Sequence, residues 1–251
     1  YRKLRNTFRY MLGALDGFDD AERVAVADMP ELERYVLHLL AEMDAKLRVA
    51  VDDFDFNTYI RALTEYMADD LSSFFFDIRK DCLYCDAPTD PKRRAYRTVL
   101  DTLFHALIRY AAPVLVFTAE EIWASRYPDA ASVHLLEWPV VDAGWMDSAL
   151  ADRWVNIRAS RAAITEAIEP LRRDKIVRSS LEADVVMPAV DGVTAADMAE
   201  IAIVASVDYA ADAVTITPTT MHKCGRCWRH LPDVSEDGTL CGRCETVLGD
   251  A

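Results

Sequence analysis

The chain contains no run of about eighteen uncharged apolar residues, so no membrane-spanning helix is expected. No secretory-type segment opens it, and it starts at Tyr1 rather than at Met, which reads as a piece of a longer protein. Catalytic signatures are missing too. There is no glycine-rich phosphate loop and no G-x-S-x-G elbow. The histidines (His38, His105, His134, His222, His230) stand at no spacing that pairs them with a nucleophile. Neighbouring acids such as Glu120 and Glu121 read as a solvated helix surface rather than as general acid and base. Taken alone, the chain is expected to catalyse nothing. Positive charge is also short: 28 Lys and Arg against 42 Asp and Glu leave a net charge of −14, which argues against sequence-blind coating of a polyanion. No internal repeat or low-complexity tract occurs.

The composition, 52% hydrophobic and 28% charged over 251 residues, suits a soluble globular protein of one to three compact units. The few cations are gathered into islands. Arg2, Lys3, Arg5 and Arg9 share the first ten residues with no acid; Lys92, Arg93, Arg94 and Arg97 form a second island, and Arg172, Arg173, Lys175 and Arg178 a third. Islands in an acidic chain suit a partner touched at chosen places. A solvated face is the usual fate of a charge run, but the lack of any balancing acid in the first helix favours a phosphate-contacting face there.

Four of the six cysteines stand in two pairs, Cys224-Gly-Arg-Cys227 and Cys241-Gly-Arg-Cys244, thirteen residues apart. Two such turns close a tetrahedron around one Zn²⁺ with no open position, so a structural ion is expected. The alternatives, two local disulfides or four unliganded thiols, fit the spacing less well. Arg226 and Arg243 would partly offset the charge of a tetrathiolate centre, and a module with so little core would draw its folding energy from the metal. His222 and His230 read as neighbours rather than ligands. Cys82 and Cys85 form a weaker C-x-x-C run at a helix end, read as small packed side chains. Lys223, Arg226, Trp228, Arg229 and His230 on the knuckle are the side-chain types that hold phosphates and stack on bases. Trp228 is either such a platform or the lid of a miniature core, and both can hold.

Apolar spacing predicts long helices over the first two thirds. The first runs from Tyr1 to about Leu15. The second opens at Pro30 and carries Leu32, Val36, Leu39, Met43 and Leu47 on one stripe. A third, capped by Asp55 or Asn57, buries Tyr59, Leu63, Tyr66, Met67, Leu71, Phe74, Phe75 and Ile78. A fourth spans about Pro91 to Arg126, with a kink or break near Ala112 from Pro113. A fifth spans about Asp147 to Arg173, its last turn disturbed by Pro170. Residues 127–144 read as loop. Beyond Ser179, Val185–Met187 and Val214–Thr217 are short β-type runs, Ala195–Glu200 a short helix and Ile201–Val204 a buried strand. The expected fold is mainly α: a helical bundle over 1–175, a small α+β unit over 176–220 and a zinc ribbon over 221–251.

The strings Tyr1-Arg-Lys-Leu-Arg-Asn-Thr-Phe-Arg-Tyr10, Leu71-Ser-Ser-Phe-Phe-Phe-Asp-Ile-Arg-Lys-Asp81 with Tyr84-Cys85-Asp86, Ala112-Pro-Val-Leu-Val-Phe-Thr-Ala-Glu-Glu121 and Ser179-Ser-Leu-Glu-Ala183 resemble those of bacterial isoleucyl-tRNA synthetases. The Cys-Gly-Arg-Cys-Trp-Arg tail is similar to that family's C-terminal zinc module, itself similar to the finger of formamidopyrimidine-DNA glycosylases. The resemblance covers essentially the whole chain, in order. It implies the anticodon-binding helical domain and zinc module of a class I ligase that charges tRNA with isoleucine using ATP. Such a ligase is implied to be cytoplasmic and monomeric, with its catalytic and editing domains outside this chain; no H-I-G-H or K-M-S-K-S type string occurs here. It further implies Cys224, Cys227, Cys241 and Cys244 as zinc ligands, and Arg226, Trp228, Arg229, Arg2, Arg5 and Arg9 as tRNA contacts. The alternative is a zinc-ribbon module on a helical scaffold that binds nucleic acid or protein, or merely caps the bundle, with no synthetase role.

Overall fold

The computed structural model describes residues 1–210 and 212–249. Packing separates the chain into two compact units: Tyr1–Leu83 with Pro88–Ser148, and Tyr84–Ala87 with the described residues from Ala149 onward. This division differs from the three-part expectation in three ways. The α+β part and the zinc part form one unit. The long helix before residue 175 groups with the C-terminal part, and a four-residue turn from early in the sequence joins it there.

The first unit is helical. α1 (Arg2–Ala14) turns Leu4, Phe8 and Met11 inward and leaves its arginines in solvent. α2 (Glu31–Asp52) starts directly after Pro30, which sits at the N-cap. Leu32, Val36, Met43 and Leu47 are buried as expected, but the stripe runs through Leu40 rather than the half-buried Leu39. α3 (Phe56–Glu65) is capped by Asp55, which accepts from the Thr58 N–H at 3.0 Å. A π-helical stretch, Tyr66–Phe75, leads from it into α4 (Phe76–Cys85). The Ser72 hydroxyl there donates to the Met67 carbonyl five residues back, at 2.9 Å. All eight apolar residues expected to face inward along this segment are buried.

α5 (Pro91–Ala111) is the central helix. Asp90 caps it by accepting from Lys92 and Arg93, and Pro91 occupies the first turn, where its missing N–H costs nothing. Leu100, Leu103, Phe104, Leu107 and Ile108 are wholly buried, each stabilising by roughly 1.5–3 kcal/mol. Pro113 ends the run, and α6 (Val116–Arg126) begins after it. Three carboxylates are taken inside with partners. Glu33 receives a two-pronged bond from Arg79, both arms at 2.7 Å. Asp44 accepts from the Tyr110 hydroxyl at 2.5 Å, and from Trp138 Nε1 and Arg48 Nε at 2.7 Å each. Asp101 is held by Arg23 at 2.5 Å and by Arg126. Buried charge is tolerated only when paired in this way.

The second unit holds α7 (Ser148–Arg173) from Ala149 on. Pro170 lies inside this helix, which runs on for three residues past it. β1 (Ala183–Val186) forms the middle of a three-stranded sheet, parallel to β2 (Ser206–Asp208) and antiparallel to β3 (Thr215–Pro218). α8 (Ala195–Ala202) joins β1 to β2. The buried strand expected over Ile201–Val204 is not formed. Met198, Ala199, Ile201 and Ala202 are instead the buried face of α8, and the Thr194 hydroxyl caps that helix by accepting from the Asp197 N–H at 3.1 Å. Ile203 then turns left-handed, with φ 57°, and the strand starts at Ser206. Short apolar runs are read alike by helix and strand; here the cap decides. The tail comprises a hairpin of β4 (His222–Lys223) and β5 (His230–Leu231), followed by α9 (Gly242–Gly249). Among the described residues no helix is long and apolar enough to cross a membrane.

Candidate zinc knuckle and nucleic-acid interface

The two Cys-Gly-Arg-Cys turns meet. The sulfurs of Cys224, Cys227, Cys241 and Cys244 all lie within 4.8 Å of one another, with Cys227 Sγ and Cys241 Sγ 3.9 Å apart. A tetrahedral zinc with bonds of about 2.3 Å places its sulfurs about 3.8 Å apart, so the donor set fits one ion. No fifth ligand is needed, and the ion's contribution is a cross-link and positive charge rather than a reactive site. His230 donates from Nδ1 to the Met221 carbonyl at 2.7 Å, and the exposed His222 faces Asp237 at 3.4 Å. Both imidazoles lie outside the ligand set, as the four-thiolate count requires.

The turns are built for sulfur. Burial works against a thiolate at Cys224, but the N–H groups of Cys227, Arg226 and Cys241 outweigh it and bring the thiol down to about 6. Burial pushes Cys227 and Cys241 up, so their protons are the ones an arriving cation must displace. Gly225 is obligatory: a Cβ there would sit 2.4 Å from the Gly238 carbonyl oxygen, where the knuckle and the 236–239 turn cross through Gly225 N–H to Thr239 O, 3.0 Å. The apolar filling is slight. Beside the four ligands, the buried cluster contains, among the described residues, only Val234 and Cys85, with Leu231 and Leu240 half-covered.

Cys85 marks what sequence reading missed. The turn Tyr84–Ala87 is part of the zinc unit. Arg226 donates to the Cys85 carbonyl at 2.7 Å and the Tyr84 carbonyl at 3.3 Å, and reaches the Cys244 sulfur at 3.6 Å. Arg243 donates to Asp86 at 2.9 Å and also hydrogen-bonds the Cys227 sulfur. The arginine of each Cys-Gly-Arg-Cys turn thus offsets thiolate charge, as the spacing suggests, and ties the knuckle to a turn more than a hundred residues away. Arg226, which the resemblance implies as a tRNA contact, makes these bonds from a half-exposed position. The C-x-x-C run at Cys82 was the available signal, but its halves part: Cys82 is buried in the first unit and Cys85 in the second.

Trp228 is the outward residue. It follows the first cysteine pair in a left-handed conformation, φ 64°, with its N–H bonded to the Cys224 carbonyl at 3.1 Å. The indole is 62% exposed. Lys223 Nζ sits 5.4 Å from its ring centroid, and Arg229 is half-exposed beside it in sequence. An open aromatic face flanked by cations can stack on an unpaired base and hold its phosphate. In the first unit, Arg2, Arg5 and Arg9 lie on the exposed side of α1, with no ion-pair partner among the described residues.

Residues 33–187 match the family described as the anticodon-binding domain of tRNA ligase, and residues 222–247 match the zinc finger found in FPG and IleRS. The chain belongs to the anticodon-binding domain family of tRNA ligases and carries that structural zinc finger at its C-terminal end. Among its relatives it is 58% identical over its whole length to the isoleucine–tRNA ligase of Zymomonas mobilis. It is 45% identical over 99% of its length to that of Gluconobacter oxydans, and 44% identical over 94% to that of Agrobacterium fabrum. The chain spans 28%, 27% and 26% of those three proteins' lengths.

Proposed function

We propose that the chain is the tRNA-reading region of an isoleucine–tRNA ligase, a cytoplasmic, monomeric enzyme that joins isoleucine to its tRNA at the expense of ATP with catalytic and editing domains lying elsewhere. The whole-length similarity to ligases of that name supports this reading, and the observation that carries it is the exposed indole on the zinc knuckle. In solution the unpaired anticodon bases offer their faces and Watson–Crick edges. Trp228 would stack on one of them, while Lys223 and Arg229 would hold the adjoining phosphates. Arg2, Arg5 and Arg9 would supply phosphate contacts from the first unit. Arg226 would act as a positioning residue, holding the knuckle that presents Trp228. Binding energy collected here would orient the acceptor end in a distant active site, as remote contacts can.

A gel-shift comparison tests this: an isoleucine tRNA transcript should bind the chain more tightly than the same transcript altered only in its anticodon. Equal binding of the two, or preference for duplex DNA, would refute the reading and favour a general zinc-ribbon module.

A further inference from the structure

The third basic island, at the end of α7, remains unused by that reading. Arg172 and Arg173 occupy the helix's last turn, where cations offset the partial negative charge of the free carbonyls. Arg172 also pairs with Glu169 at 3.0 Å, and Arg173 lies 3.8 Å from Asp174. Their presence is explained by the helix.

Lys175 and Arg178 have no such explanation. The helix ends in a left-handed turn: the Ile176 N–H bonds back to the Leu171 carbonyl at 2.8 Å, the Lys175 N–H bonds to Arg172 at 3.1 Å, and Lys175 itself has φ 60°. Glycine is the default residue at this position because a Cβ is disfavoured there. A lysine keeps the strain. Its side chain and that of Arg178 are exposed, and neither has an ion-pair partner among the described residues. The nearby carboxylate of Glu182 is occupied by the Arg178 backbone N–H at 2.8 Å. Val177, wholly buried between them, and the cap from Ser179 to the Leu181 N–H hold the turn in shape. Two cations without ion-pair partners among the described residues thus stand on one fixed turn, in the same compact unit as the zinc knuckle.

We propose that Lys175 and Arg178 form a second phosphate-contacting point for RNA, distinct from the Trp228 knuckle. This rests on the tRNA-reading function proposed above and adds residues to it. The test uses the full chain, an isoleucine tRNA transcript and a salt titration, comparing wild type, the Lys175→Gly/Arg178→Gln variant and Trp228→Ala. The double variant should bind roughly tenfold more weakly at 0.1 M salt. Its slope of log affinity against log salt should be shallower by about 1.5, the loss of two phosphate contacts. Its melting temperature should hold or rise, because glycine relieves the left-handed lysine. An unchanged affinity and slope, with Trp228→Ala still impaired, would overturn this proposal and leave the tRNA-reading function standing. No RNA binding by the wild type would overturn both. Loss of binding to phosphatidylserine vesicles with RNA binding intact would assign the turn to a lipid surface and also overturn it.

Discussion

Trp228 and Gly225 show how single residues divide the work of the knuckle. Trp228 contributes little to packing, since most of its surface is open. Replacing it with alanine should therefore leave the melting temperature within about a degree while weakening RNA binding by about 1–3 kcal/mol, measured by filter binding. Gly225→Ala should do the reverse. Its Cβ would meet a backbone oxygen at 2.4 Å that has no flexible end to move, so zinc stoichiometry by atomic absorption should fall well below one per chain. Glu33→Gln in the first unit strands the buried Arg79 guanidinium opposite a neutral amide. Removing one partner of a buried pair costs about 3–5 kcal/mol, and a urea melt should show most of that loss.

Among elements, the zinc hairpin and the helical unit differ in what holds them. The central helix α5 is enclosed by apolar side chains and needs no ion. The knuckle has Val234 and little else beside its sulfurs. A chelator should therefore abolish protection of amides in 222–249 in hydrogen exchange while leaving α5 protected. Acid should act in the same direction. Zinc needs four thiolates, and Cys224 keeps its own only down to about pH 6. Its contribution is fully present only above the ordinary thiol value of 9.0 and is lost as pH falls from there to about 6. Cys227 and Cys241, raised by burial, would release their protons to solvent as zinc takes the sulfurs. Zinc affinity in chelator competition should decline steadily from pH 8 towards pH 5.

For the whole molecule, a net charge of −14 means that the proposed RNA partner would have to be held at cationic points against an overall repulsion. Affinity should fall with salt at about 0.7–0.9 in log–log slope per phosphate contact. Much of this organisation is legible in the residues. Helix positions, the break at Pro113 and the four-sulfur site follow from apolar spacing, proline and cysteine pairing, all of them local signals. The strand expected at Ile201–Val204 misled because four apolar residues carry no period of their own, and the Thr194 cap, seven residues before Ile201, decided the matter.

By itself the sequence determined where the long helices lie, which four cysteines can share an ion and which family the chain resembles, because each is written in spacings of a few residues. Only the tertiary structure decided that α7 packs with the C-terminal part and that Tyr84–Ala87 belongs there too. It also decided that Arg226 and Arg243 turn inward while Trp228 stays outside. Those outcomes depend on partners far apart in sequence, 39 positions for Arg153 and Gly192 and 157 for Arg243 and Asp86, whose meeting is settled by the competition of buried area and hydrogen bonding over the folded chain, and no local pattern encodes that competition.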